Sequence, residues 1–122
     1  MVQVQTMMVV ADNTGAKMAQ VIKIPGASKP HYAHIGQVVK VVIKEATSDA
    51  TVKKSAMALA VIVRSKKGVK RDNGFKVSFS DNACVIVKAD KTPVGTRVFG
   101  PIAREVKNAG FNKIASLATE VL

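Results

Sequence analysis

The chain has 122 residues, 48% of them hydrophobic, and carries 19 Lys and Arg against 8 Asp and Glu, a net charge of +11. That apolar content in a chain of this length excludes a compositionally disordered polypeptide and suffices for one core. The charge excess would strain a compact domain by self-repulsion unless something anionic offsets it: nucleic acid, an anionic membrane surface or an acidic protein.

Up to about residue 90 the texture is β, with short Val/Ile-rich runs each ended by turn residues. Residues 7–11 form the first run, closed by Asp12-Asn13-Thr14-Gly15. Residues 17–24 follow and stop at Pro25-Gly26. Residues 38–44 hold five β-branched apolar residues and 59–63 form a second such run; both suit strands buried on one or both faces. Residues 66–74 are polar and turn at Asp72-Asn73-Gly74 before a run over 75–79, and Asp81-Asn82 leads into 84–87. Five or six strands at this spacing predict a small barrel. Asn13, Gly15, Asn73 and Gly74 are expected to supply the positive φ that such turns demand.

After that the period changes. Gly100-Pro101 places a proline at a helix start, Ile102 and Val106 sit four apart, and Gly110 can end the helix. Asn112 is the expected cap of a second short helix with Ile114, Leu117 and Ala118 on one face. Helices this short must pack on the barrel to persist. One domain is expected over 1–122, with a barrel over about 1–98 and a short helical part over about 99–122.

The densest charge is Arg64, Lys66, Lys67, Lys70 and Arg71, interrupted by Gly68. It reads as a basic hairpin that tracks a phosphate backbone, against the blander alternative of a solvated loop. Lys17, Lys23, Lys40, Lys44, Lys53, Lys54, Lys76 and Lys88 lie on or near strands with few acids among them, which favours nucleic-acid contact. With only Tyr32, Phe75, Phe79, Phe99 and Phe111 as aromatics, some of them needed in the core, contact through phosphates, 2′-hydroxyls and shape is expected over base stacking.

No catalytic or metal site is expected. His31, His34 and Cys84 fall short of the four ligands of a structural zinc site. The 95–100 segment has the outer spacing of a phosphate loop but continues into Pro101-Ile102, where Lys and Ser/Thr are required. The carboxylates sit at turns or element ends, where capping and solvation explain them. The opening Met1-Val2-Gln3-Val4-Gln5-Thr6 lacks the features of a targeting signal, no apolar run approaches the ~18 residues of a membrane helix, and a lone cysteine fits a reducing compartment. A free-standing nucleic-acid-binding barrel and an enzyme with an unfamiliar site are the rival readings.

Four segments bear on family. They are Val10-Ala11-Asp12-Asn13-Thr14-Gly15-Ala16-Lys17; Ala60-Val61-Ile62-Val63 with Asn73-Gly74, Phe79, Asn82 and Val85-Ile86 at fixed spacing; Gly95-Thr96-Arg97-Val98-Phe99-Gly100-Pro101 with Arg104-Glu105; and the ending from Lys113 to Leu122. Together they resemble the universal large-subunit ribosomal protein L-fourteen, of bacterial or organellar type, end to end. Thr119 stands where that family usually has proline, and Ser55 where glycine is common.

The resemblance implies a five-stranded barrel with a β-ribbon and short carboxy-terminal helices, and no enzymatic activity or cofactor. It implies binding to large-subunit (23S-type) ribosomal RNA, with the proteins numbered three and nineteen as neighbours. It also implies bridges to small-subunit ribosomal RNA, a face that receives a ribosome-silencing factor, and residence in a bacterial cytoplasmic or an organellar ribosome. Lys17, Lys23, Lys40, Lys44, Lys53, Lys54, Arg64, Lys66, Lys67, Lys70 and Arg71 are the expected ribosomal RNA contacts. Thr96, Arg97 and Lys113 are the expected subunit-interface or silencing-factor face. The 95–101 turn should bring Thr96 and Arg97 near the start of the second helix, where a cation such as Lys113 gains nothing from the helix dipole and so suits an anionic partner.

Overall fold

The computed structural model describes residues 2–25 and 32–122. Four strands follow one another as antiparallel neighbours: β1 (Met7–Val10), β2 (Ala16–Lys23), β3 (Val38–Ala46) and β4 (Met57–Arg64). A two-stranded ribbon, β5 (Val69–Lys70) and β6 (Lys76–Val77), projects between β4 and the next barrel strand. That strand, β7 (Ala83–Val87), pairs antiparallel with β4 and parallel with β1, which closes a five-stranded barrel. The rest of the chain is β8 (Val98–Ile102), α1 (Arg104–Asn108), α2 (Asn112–Leu117) and β9 (Ala118–Val121), with β8 and β9 paired in parallel. The expected fold class, a mainly β barrel with short carboxy-terminal helices, is the one observed.

Alternation makes the barrel wall. Along β3, Val39, Val41 and Ile43 are fully buried while Lys40 and Lys44 are exposed, the two-residue period of a strand with one wet face. Each buried Val or Ile contributes roughly 1.5–3 kcal/mol, and small residues such as Ala19, Ala60 and Ala83 leave room for them inside a narrow barrel. The end of β4 and all of β7 differ, being buried on both faces. Their outer side is covered: Ala103 N–H donates to Val63 O at 3.2 Å and Val94 N–H to Ile86 O at 3.1 Å. Val106, Phe111 and Ile114 add their side chains to the same core.

The carboxy-terminal expectations need correction in three places. Pro101 does not open a helix; it lies in β8 opposite Glu120, and α1 begins at Arg104 behind Ala103. A missing N–H is tolerated equally at a helix start and on a sparsely bonded strand, so proline alone could not decide. Asn112 is the first residue of α2 rather than its cap, which is Phe111 with no side-chain hydrogen bond. Ala118 leaves the helix and starts β9, which pairs with Val98. Gly110, with φ +100, follows the α1 C-cap Ala109 as expected.

The turns divide cleanly. Gly15 and Gly74 have φ of +92 and +88, but Asn13 and Asn73 do not adopt positive φ. Both asparagines act through their side chains instead: Asn73 Oδ1 accepts from Phe75 N–H at 3.1 Å, and Asn13 reaches across to the 95–97 segment. Ser55, standing where the resemblance expects glycine, has φ +69. The 75–79 run is strand only over Lys76–Val77.

Candidate nucleic-acid interface

The exposed side of the barrel presents lysines in register. Lys23 on β2 lies directly opposite Lys40 on β3, and both are exposed. Like charges facing each other across strands cost stability, so such a pair is a feature the fold itself does not explain. Lys17 on β2 and Lys44 on β3 are exposed as well, and Lys53 and Lys54 lie in the loop that joins β3 to β4. Lys53 Nζ reaches Ser48 O at 3.4 Å. Met7, Val9, Ile22 and Met57 lie exposed on the same barrel strands, so this side mixes cations with apolar surface.

The ribbon repeats the motif. Lys70 on β5 pairs with Lys76 on β6, again two exposed cations opposite each other. Lys66 and Lys67 are exposed at its base, where Asn82 Oδ1 accepts from Lys66 N–H at 2.9 Å. Asp72-Asn73-Gly74 forms the tip. Phe75 beside it is 71% exposed, and Tyr32 and Phe99 also face outward. Only Phe111 of the five aromatics is buried, so the core claims fewer rings than expected and a stacking contribution regains weight.

Two of the eleven cations expected at RNA are held by the protein. Arg64 is buried at the end of β4. Its Nη1 donates to Phe99 O at 3.0 Å and Pro101 O at 3.3 Å, Nη2 donates to Asp81 Oδ2 at 3.4 Å, and Nε lies 3.0 Å from Asp81 Oδ1. Gly100 is what lets the guanidinium approach: a Cβ there would stand 2.3 Å from Nη1. Arg71 Nε pairs with Glu105 Oε1 of α1 at 3.0 Å, and its Nη2 donates to the backbone oxygen of Leu122. These arginines clamp the carboxy-terminal part, Arg64 to the barrel and Arg71 to the ribbon.

Thr96 and Arg97 are tied to the first turn. Asn13 Oδ1 accepts from Thr96 N–H at 2.8 Å and from Arg97 N–H at 3.1 Å, while Asn13 Nδ2 donates to Thr96 Oγ1 at 2.8 Å. Their side chains remain exposed. The neighbouring Val98 pairs with Ala118, just past the end of α2, whereas Lys113 occupies the first turn of α2 and is exposed.

Buried chemistry is confined to the β1–β7 seam. Asp12 is buried, accepting from Thr14 N–H and Oγ1 and, across the seam, from Ile86 N–H at 2.9 Å. Burial raises its carboxyl pKa above the ordinary value against these donors. Cys84 is fully buried, and burial together with the Asp12 charge pushes its thiol pKa up, which leaves it inert as a nucleophile. His34 is exposed, and His31 lies outside the described residues. Among the described residues no three His, Cys, Asp or Glu side chains converge as a metal site would require, and no helix is long and apolar enough to cross a membrane.

Some residues escaped the sequence reading. Asp12 was taken for a turn residue although it ties three segments. Arg104 and Lys107, both exposed on α1, were passed over because they stand outside the dense basic cluster; their i, i+3 spacing was the available signal. The whole chain, residues 1–122, matches the family described as ribosomal protein L14p/L23e.

Proposed function

Because the chain belongs to the ribosomal protein L14p/L23e family, a structural part of the large ribosomal subunit in translation, we propose that it binds large-subunit ribosomal RNA through the exposed side of its barrel and its ribbon. The observation that carries this reading is the pair of like-charged cross-strand contacts, Lys23 opposite Lys40 and Lys70 opposite Lys76. A phosphate backbone laid across them turns two repulsions into counterion-releasing contacts. Lys17, Lys44, Lys53, Lys54, Lys66 and Lys67 extend the same surface. Arg64 and Arg71 serve it indirectly by holding the carboxy-terminal part and the ribbon in place. No step of chemistry is asked of the protein.

The finer reading follows the resemblance. Thr96, Arg97 and Lys113 face either small-subunit RNA, forming a bridge in the joined ribosome, or a silencing factor that keeps the subunits apart. Proteins numbered three and nineteen are its neighbours, in a bacterial or an organellar ribosome.

The test is co-sedimentation of the chain with large subunits through a high-salt wash, together with the salt dependence of its binding to large-subunit RNA. Retention is expected, with a slope that falls by roughly 0.7–0.9 for each lysine contact removed. Release in the wash, or a slope insensitive to loss of these lysines, would favour a free-standing nucleic-acid-binding barrel.

A further inference from the structure

The exposed face of α1 lies between two hollows. One, of about 430 Å³, is bounded by Arg104, Lys107, Asn108, Asn112, Ser116 and Val121. The other, of about 520 Å³, lies toward the ribbon and is bounded by Lys70, Asp72, Asn73, Arg104 and Asn108 with the Arg71–Glu105 pair. They share Arg104 and Asn108, which stand one helical turn apart on the same face, so the two hollows form one continuous groove across α1. Val106 points the other way, into the core. The groove is a product of tertiary structure, since its walls come from the ribbon, α1, α2 and β9.

Its chemistry is specific in kind. Lys70, Arg104 and Lys107 bring three exposed cations, whereas of the two acids Glu105 is occupied by Arg71 and Asp72 remains. Asn73, Asn108, Asn112 and Ser116 supply neutral donors and acceptors. No aromatic ring lines either hollow, and Val121 and Ala115 are the main apolar contributions. Protein partners are held by buried aromatic or aliphatic anchors, and this groove has none to offer. Cations spaced along amide and hydroxyl groups match phosphates alternating with ribose 2′-hydroxyls.

We infer that the α1 groove takes the sugar–phosphate backbone of an RNA strand, as a second contact separate from the lysine-bearing side of the barrel. This rests on the ribosomal reading above. Arg71 acts here as a positioning residue: by joining the ribbon to Glu105 and to the Leu122 backbone it sets the groove's outer wall without supplying a free charge. The strand can belong to either subunit's RNA, and the experiment separates the two sources.

An Ala109→Cys variant places a thiol at the exposed end of α1, while Cys84 stays unmodified because it is buried. A tethered hydroxyl-radical generator on that thiol is then carried into large subunits. Backbone cleavage of large-subunit RNA is the expected result. Cleavage confined to small-subunit RNA after joining assigns the strand to the other subunit and leaves the groove an RNA site. No cleavage in either RNA, with the labelled protein present in the subunits, overturns the inference. Absence of the unlabelled native chain from large subunits would instead overturn the ribosomal reading and take this one with it. As a label-free check, the R104Q/K107Q double variant should lower the salt slope by roughly 0.7–0.9 per lost contact, measured against RNA from each subunit. An unchanged slope on both also sinks the groove.

Discussion

Along β3, Lys40 and Lys44 alternate with buried Val39, Val41 and Ile43, whereas the last five residues of β4 are all buried and their one cation, Arg64, is turned against protein. The two strands are neighbours, and both are rich in β-branched residues. What separates them is cover: the outer side of β4 and β7 carries β8 and the carboxy-terminal helices, while the outer side of β2 and β3 faces solvent. A charge on the covered side becomes a structural tie, and a charge on the open side remains available to a partner. Net charge therefore overstates the binding surface, since Arg64, Arg71 and Asp12 are all spent within the fold.

The largest break in this contrast should come from Arg64→Ala. Two carbonyls lose a charged donor and Asp81 loses its partner, although Asp81 is 36% exposed and water takes over part of that loss. Destabilisation of about 3 kcal/mol is expected, read as a shift in urea midpoint. A loss below about 1 kcal/mol would mean that the covered side does not depend on this clamp.

Asp12→Asn tests the same side more gently. One backbone or hydroxyl donor loses its acceptor, for about 1–3 kcal/mol. The pH dependence sharpens the assignment. Because the folded pKa lies above the ordinary 3.8, the folded state holds the proton more tightly. Stability from this group is then fullest below 3.8 and falls as pH rises through the folded value, the reverse of a salt-bridged aspartate. Unfolding midpoints measured from acid to neutral pH should show that decline in the native chain and lack it in the variant.

Backbone strain gives a paired and smaller effect. Gly74→Val at the ribbon tip meets no neighbour within 4 Å, so only its φ of +88 opposes the side chain, at a cost of about 1–2 kcal/mol. Ser55→Gly should move the other way, gaining up to about 1 kcal/mol by relieving a residue held at φ +69. Thermal melts of both variants decide; a destabilised Ser55→Gly would show that the serine side chain is needed there.

The smallest stability effect, and the most telling for function, is expected for Lys40→Ala with Lys44→Ala. Exposed changes of this kind stay within about 0.5 kcal/mol, yet the salt slope for RNA should drop by roughly 0.7–0.9 per contact. Full stability with an unchanged slope would erase the distinction between the two sides.

Much of the barrel was legible because alternation is local: Val38 to Lys44 declares a one-sided strand within seven residues. The carboxy-terminal part was not. Ala118, Thr119, Glu120 and Val121 carry no two-residue pattern, and they become a strand only because Val98 to Ile102, far back in the chain, lies alongside. Lysines on the open side could be picked out by their setting among apolar neighbours. The fates of Arg64 and Arg71 could not, because Asp81 and Glu105 reach them through the fold rather than along the sequence.

The parallel seam between β1 and β7 also sets a timetable. Val9 cannot meet Ala83, nor Val10 meet Cys84, until nearly three quarters of the chain has been made. At ~5–20 residues per second, synthesis leaves an unclosed sheet waiting for several seconds with two raw strand edges. Nascent copies in that state are open to pairing with one another, as any exposed edge is. The lysines that repel across the finished barrel repel between unfinished chains as well, so the same surplus charge guards the protein before it has anything to bind.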